Sequence, residues 1–375
     1  MFVAAANPNH IRTGHALKPR PNVTGQIRTG YVANVDLAVC VRQGRCHHQA
    51  FWVAEMRMRS HGFARKCCEF RAFSASGAIL RGMNGKTVRI PTPLSPGDGI
   101  QLAAPARFVT AEQIDAAAEV IQSAGFEPVI PDGLLARDGQ FGGDDAHRAH
   151  QLNSGFKHDR VRAIWAMRGG YGCGRVLPLL DRNAYVENPT WLIGFSDITA
   201  LHAWSQNLGV ASLHGPVANT FKNGTAHHQK RMWELLTASE RPIGAAVVGG
   251  NLSVLYSLLG TPYFPDCRGA WLLIEDLDEY LYHIDRMMLA MRLAGVFEQA
   301  HGLMVGEFSD LHDNTIADGQ QIDNPFGQSL PQIIANHWPA EKPVVWNVPV
   351  GHGAENEPVV LGIGTDRVGA WTERN

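Results

Sequence analysis

Short apolar runs, each closed by a glycine-rich or polar turn and followed by a helical stretch, recur along this chain from residue 99 onward. That rhythm restricts the fold to α/β with a parallel sheet and right-handed crossovers. Gly99 to Ala104 is the first strand. Thr110 then opens a helix, with Gln113 placed to complete a capping box, and Gly125 stops it beyond Ser123. Phe126 to Ile130 predicts the next strand. Val161 to Met167 is apolar enough to be buried on both faces. Gly169-Gly170-Tyr171-Gly172 turns the chain into a helix around Val176 to Leu180. Trp191 to Phe195 and Ile198 to Gln206 repeat the strand and helix. After a looser polar stretch the pattern resumes. Gly249-Gly250-Asn251-Leu252 leads into a helix through Leu259, and Ala270 to Ile274 is a strong strand. Ile284 to Ala294 is helical, and Gly302 to Gly306 and Val344 to Val348 are further strands.

A chain of 375 residues with this apolar content fits two domains. Its net charge of -2 gives no reason to expect nucleic acid or an anionic membrane as partner. No apolar window reaches the roughly 18 residues of a membrane span, and no secretory h-region forms, so a cytoplasmic protein is expected. Residues 1–82 stand apart: twelve Lys and Arg against three Asp and Glu give them +9, and the remainder carries -11. They hold Cys40, Cys46, Cys67 and Cys68, but Cys40, Cys46, His47 and His48 lack the paired spacing of a zinc module. No metal and no cofactor is expected. The change in composition at Met83 makes it a candidate natural start, which N-terminal sequencing of protein from the native host tests. The expected division is a poorly ordered extension (1–92), a nucleophile-bearing domain (93–218), a connection (219–245) and a C-terminal domain (246–372).

Ser196, in Gly194-Phe195-Ser196-Asp197, ends a strand and begins a helix. In open parallel sheets ligands bind beyond the carboxyl ends of the strands, where such a serine stands. Ser-Asp before a helix is also ordinary capping chemistry, so four residues alone do not make a nucleophile. Arg168-Gly169-Gly170-Tyr171-Gly172 adds a loop whose free amides could face an oxyanion. Gly170-Tyr171-Gly172-Cys173-Gly174 is not the spacing of a dinucleotide loop. Cys173 has no identifiable base and reads as a packed residue. Glu275 ends an apolar strand where a carboxylate needs a partner, and His352 sits in a turn after another strand. In a triad, His352 would take the serine proton while Glu275 fixes its tautomer and stabilises the imidazolium.

These residues resemble the LD-carboxypeptidases, a family of serine peptidases. The resemblance spans about residues 93–370 and rests on Arg168 to Gly172, Gly194 to Asp197 with Thr199, His214-Gly215-Pro216, Gly249 to Leu252, Leu259 to Pro262, Ile274-Glu275-Asp276 with Glu279, Asp285 to Met287, and Gly351-His352. It implies a flavodoxin-like parallel-sheet N-terminal domain and a smaller β-rich α/β C-terminal domain, with the site between them in a homodimer. It further implies Ser196 as nucleophile, Glu275 and His352 as its triad partners, and the N–H groups of Gly170 and Asp197 as oxyanion donors. The implied reaction releases terminal D-alanine from a murein tetrapeptide, a cytoplasmic step of cell-wall recycling without a metal. Arg107 departs from the family's usual glycine. Arg168 could pair with the substrate's free carboxylate, or instead with Asp197 or Glu275. One alternative function is a microcin-immunity type peptidase, which an aromatic platform in the connection would favour; Phe221 and Trp233 are the only obvious aromatics between Asn219 and Arg241. Another is a non-catalytic α/β ligand-binding protein with Ser196 as a cap.

Overall fold

The computed structural model describes residues 79–81, 87–239, 244–353, 355–365 and 367–372; residues 1–78 of the basic segment, with its four cysteines, and Met83 lie outside them. A hairpin of β1 (Ile79–Arg81) and β2 (Thr87–Arg89) comes first. Then β3 (Gly99–Ala103) passes through α1 (Ala111–Ser123) to β4 (Glu127–Val129). Thr110 caps α1 as its sequence predicts: its hydroxyl accepts from Gln113 N, and the Gln113 side chain accepts from Thr110 N at 3.0 Å. Next come α2 (Asp145–Lys157), β5 (Val161–Ala166), α3 (Cys173–Val176) and α4 (Arg182–Glu187). The helix expected around Val176 to Leu180 is shorter than predicted, since α3 passes into a 3-10 turn at Leu177–Leu179. Pro178 has no N–H with which to continue an α-helical ladder. β6 (Trp191–Gly194), α5 (Thr199–Asn207) and β7 (Ser212–His214) complete this part.

The stretch 219–245 contains α6 (Ala226–Thr237), whose Met232 and Leu236 are fully buried. Beyond it lie β8 (Val247–Asn251), α7 (Leu252–Leu258), β9 (Trp271–Leu277), α8 (Leu281–Leu293) and α9 (Val296–Gln299). β10 (Gly302–Ser309), α10 (Leu330–His337), β11 (Val344–Val345), β12 (Val359–Leu361) and α11 (Val368–Thr372) follow.

Two sheets result. The first has the order β4-β3-β5-β6-β7-β12, parallel except for β12, which runs antiparallel along β7. Its five parallel strands follow the flavodoxin order, in which the chain reverses direction between β3 and β5. Alternate side chains explain the unbroken apolar runs. Leu102, Trp165, Trp191, Ile193 and Leu213 pack with Ile114, Ala117 and Ile121 of α1. Ala103, Ile164 and Leu192 pack with Leu152 and Phe156 of α2 and Leu201 and Trp204 of α5. Burying side chains of this size stabilises each face by about 2 kcal/mol per residue.

The second sheet, β8-β9-β10-β11, is parallel throughout. Leu272, Ile274, Leu303 and Val305 meet Met287, Met288 and Met291 of α8 and Ile333 and Ile334 of α10. On the opposite face Leu273, Met304 and Val345 cluster with Val350 and with Val359 and Leu361 of β12. Among the described residues no helix is long and apolar enough to cross a membrane.

Candidate active site

Ser196 leaves β6 on a strained turn. Its φ is 63°, in the left-handed region that side chains with a Cβ rarely adopt. Residues persist there when their surroundings over-determine them, which is characteristic of functional turns. It begins the 3-10 turn Ser196–Ile198 that runs into α5. Phe195, not Ser196, occupies the cap position, and no side-chain capping bond forms. The capping role weighed for Ser196 is therefore absent here.

The loop after β5 presses against this turn. A Cβ on Gly169 would stand 3.1 Å from Ser196 Cβ, 3.3 Å from its Oγ and 3.4 Å from Asp197 N. Gly170 has a φ of 115°, and the Arg107 side chain lies along it, so that a Cβ there would meet Arg107 Cδ and Nε at 2.7 Å. Arg168 is half-buried, and among the described residues no ion pair joins it to Asp197 or Glu275. The Asp197 carboxylate accepts instead from Cys173 N at 2.8 Å. Burial pushes the Asp197 carboxyl above its ordinary value, and pushes the enclosed Cys173 thiol well above its own. Cys173 is a packed residue.

Glu275 and His352 come from the second sheet. Asn251, at the end of β8, is the register partner of Glu275 in β9. Asn251 N donates to Thr199 Oγ1 at 3.0 Å, which fastens this strand end to the first residue of α5. Gly306 in β10 allows a further close approach, since a Cβ there would meet Val350 O at 2.5 Å and Glu275 Cβ at 3.0 Å. The Gly351–Gly353 turn is thereby seated against Glu307 of β10, where a Cβ on Gly351 would meet Glu307 Cβ at 2.8 Å. His352 Nδ1 lies 2.8 Å from Glu275 Oε2. Glu275 is wholly buried, and its Oε1 has no partner among the described residues. The His352 ring packs on Phe195, the neighbour of Ser196, with centroids 4.7 Å apart. A cavity of about 170 Å³ opens beside Phe195 and His352, walled in part by Thr220, Asn223, His228 and Asn356.

Residues 100–215 match the model of the LD-carboxypeptidase N-terminal domain, and residues 244–366 that of the LD-carboxypeptidase C-terminal domain. The chain belongs to the LD-carboxypeptidase family. It is similar to the Bacillus subtilis (strain 168) protein named "probable murein peptide carboxypeptidase", at 30% identity over 292 residues, which cover 72% of this chain and 89% of that relative. It is also similar to the murein tetrapeptide carboxypeptidase of Pseudomonas aeruginosa, at 27% identity, covering 70% of this chain and 90% of the relative. Among solved structures, muramoyltetrapeptide carboxypeptidase from Oxalobacter formigenes superposes with a TM-score of 0.61 at 24% identity, over 71% of this chain and 96% of its own. The microcin C7 self immunity protein, in a complex with adenosine monophosphate, gives 0.62 at 20% identity over 72% and 92%. Both likenesses bear on the fold, which is the family's two-sheet arrangement.

Several residues around the candidate site of this LD-carboxypeptidase family member carried no role in the sequence. Asp276, beside Glu275, accepts from Asn251 Nδ2 at 2.8 Å, Ser253 N at 2.9 Å and Leu277 N at 3.0 Å, and burial raises its carboxyl to about 6. His202 bridges Gly194 O at 2.8 Å and Ser212 Oγ at 2.9 Å. Its Nε2–H must donate to the carbonyl, so Nδ1 accepts from the hydroxyl and the end of β6 is held. Arg148 is fully buried under the glycine loop. Its signal was present: on α2 it shares a face with Leu152 and Gly155, so an arginine stands in an apolar stripe.

Proposed function

We propose that this chain is a serine-type LD-carboxypeptidase that releases terminal D-alanine from a murein tetrapeptide. The bond cut is the amide joining an L-centre, diaminopimelate or lysine, to that D-alanine. The observation that carries this reading is the 2.8 Å contact of a wholly buried Glu275 with a histidine whose ring packs on the residue preceding Ser196. Ser196 Oγ attacks the carbonyl carbon while His352 Nε2 takes its proton. The N–H groups of Gly170 and Asp197 receive the oxyanion, and His352 returns the proton to the leaving amine. Water then attacks the acyl-enzyme by the same route. Throughout, Glu275 holds Nδ1–H and balances the imidazolium charge.

Arg168 binds the free carboxylate of D-alanine. The absence of an internal ion pair to Asp197 or Glu275 supports this role. Arg168→Ala should lower kcat/KM for the tetrapeptide at least tenfold more than for its C-terminal amide; equal losses would remove carboxylate recognition. The enzyme is further proposed to act in the cytoplasm as a homodimer; light scattering of the purified protein checks the dimer, and fractionation of the native host checks the compartment.

The decisive assay follows D-alanine release from murein tetrapeptide, with Ser196→Ala as control. Full turnover by that variant would overturn the nucleophile assignment. Failure of the wild type on murein peptide with cleavage of a peptidyl-nucleotide toxin would favour the microcin-immunity reading. Phe221 and Trp233 pack edge-on with each other and with Trp165, and of the two Phe221 lines the cavity beside His352 while Trp233 does not.

A further inference from the structure

We propose that Arg148 is a positioning residue for the oxyanion-binding loop, working with the Asp197 carboxylate to hold the peptide unit between Gly172 and Cys173 from both ends. The inference rests on the assignment of Ser196 and of the Gly170 and Asp197 amides given above.

The geometry is specific. Arg148 Nη1 donates to Gly172 O at 2.9 Å and also to Pro105 O. Cys173 N, the other end of the same peptide unit, donates to Asp197 Oδ2 at 2.8 Å. A cation therefore grips the carbonyl and an acid grips the N–H, so the peptide dipole lies between the pair and its plane cannot rotate without breaking both bonds. The acid belongs to the residue after Ser196, and its own backbone N–H is one of the two oxyanion donors. Gly170 N, the other donor, is two residues upstream of the clamped unit. Pro105 belongs to the loop after β3, so one buried guanidinium fastens both loops that flank the reversal in strand order.

Arg148 is in turn held in place. Its Nη2 donates to Asp145, which Arg175 grips with Nε at 2.9 Å and Nη2 at 2.8 Å. The Phe141 ring covers both guanidinium groups, at 4.8 Å for Arg148 and 5.4 Å for Arg175. The glycine at 172 belongs to this arrangement: with φ 141°, a Cβ there would stand 2.6 Å from Arg148 Nη1. Burying a guanidinium against water is costly unless its hydrogen bonds are satisfied and directed. Here Nη1 is directed at the two loop carbonyls and Nη2 at Asp145, while Nε has no partner among the described residues. Lysine has the charge but not the planar fork that reaches two carbonyls and a carboxylate at once.

The test compares wild type, Ser196→Ala, Arg148→Met and Arg148→Lys for D-alanine release. It also measures affinity for a peptidyl boronic acid, whose tetrahedral adduct with Ser196 places an oxygen in the oxyanion position. Arg148→Met should lower kcat by about 10²- to 10³-fold, the size of losing one oxyanion donor. KM should stay within about threefold, boronate affinity should fall in step with kcat, and Arg148→Lys should recover part of the loss. Unchanged kcat in Arg148→Met, or a loss confined to KM with boronate affinity intact, would overturn the proposal. If Arg148→Met fails to fold, Asp145→Asn on the half-exposed side of the cluster replaces it. A kcat reduced about tenfold at constant KM then supports the clamp, and unchanged kcat refutes it. An active wild type with an inactive Ser196→Ala keeps the functional reading standing whatever Arg148 does.

Discussion

Replacing Glu275 by glutamine separates the electrostatic role of this residue from its structural one. In the resting site the wholly buried carboxylate faces His352 Nδ1 at 2.8 Å. On the proposed mechanism His352 becomes an imidazolium in the transition state, and the attraction between the two unit charges appears only then. At about 4 Å between charge centres and an effective dielectric near 20, that attraction is roughly 4 kcal/mol. Converted through the barrier it corresponds to about 10³-fold in kcat. Glutamine keeps the shape and can still accept from Nδ1–H, so the ring should stay oriented while the charge is lost. Stability should behave in the opposite way. Glu275 Oε1 has no partner among the described residues, and a neutral isostere avoids burying a charge, so melting should be unchanged or higher. The assay is D-alanine release coupled to a D-amino acid oxidase at pH 7, alongside thermal melts. A folded Glu275→Gln enzyme with kcat within tenfold of wild type would show that no charge is being balanced.

Two further outcomes follow from the packing. Gly169→Ala places a methyl 3.1 Å from Ser196 Cβ, and kcat should drop by at least about tenfold with little change in melting; an unaffected kcat would mean that the turn has room to spare. Burial holds His202 at about 4 in the folded chain against an ordinary 6.5, so between those values the unfolded chain binds the extra proton. Its contribution is therefore present above pH 6.5 and is lost as pH falls towards 4, roughly 3 kcal/mol over the window. Urea titrations of wild type and His202→Asn at pH 7 and 4.5 check this, and equal losses in both proteins would contradict it.

The strands were legible because a parallel sheet covered on both faces writes itself as apolar runs: Val161 to Ala166 and Trp191 to Gly194 have no polar alternation to confuse them. The glycine loop and Ser196 were legible because both stand at strand ends. What stayed hidden depends on partners distant in sequence. Val359 to Leu361 is too short a run to declare that it pairs with β7 rather than with the second sheet. The meeting of Glu275 with His352 depends on Gly306 admitting the 351–353 turn, which spacing alone does not reveal. The stretch 219–245 looked loose, yet α6 buries His228, Met232 and Leu236 at four-residue intervals behind the Thr225 cap. Arg148 was missed because an arginine on a helix ordinarily faces water.

The placement of β12 has a consequence for synthesis of the protein. The segment bearing His352 stays hydrogen-bonded to β10 as far as Val350, through Val348 N to Val305 O at 3.0 Å and Glu307 N to Val350 O at 2.8 Å, and joins the first sheet at Val359, opposite His214. A ribosome that has released residues 99–214 has made five strands of the first sheet while β7 is still an uncovered edge, open to pairing with another chain. That edge is closed only when Val359 to Leu361 emerge, and by then His352 has already left the tunnel ahead of them. The last strand to emerge thus shields the nascent sheet and ties down the far end of the segment whose near end β10 holds at Val350, so a chain truncated before Val359 should lose solubility.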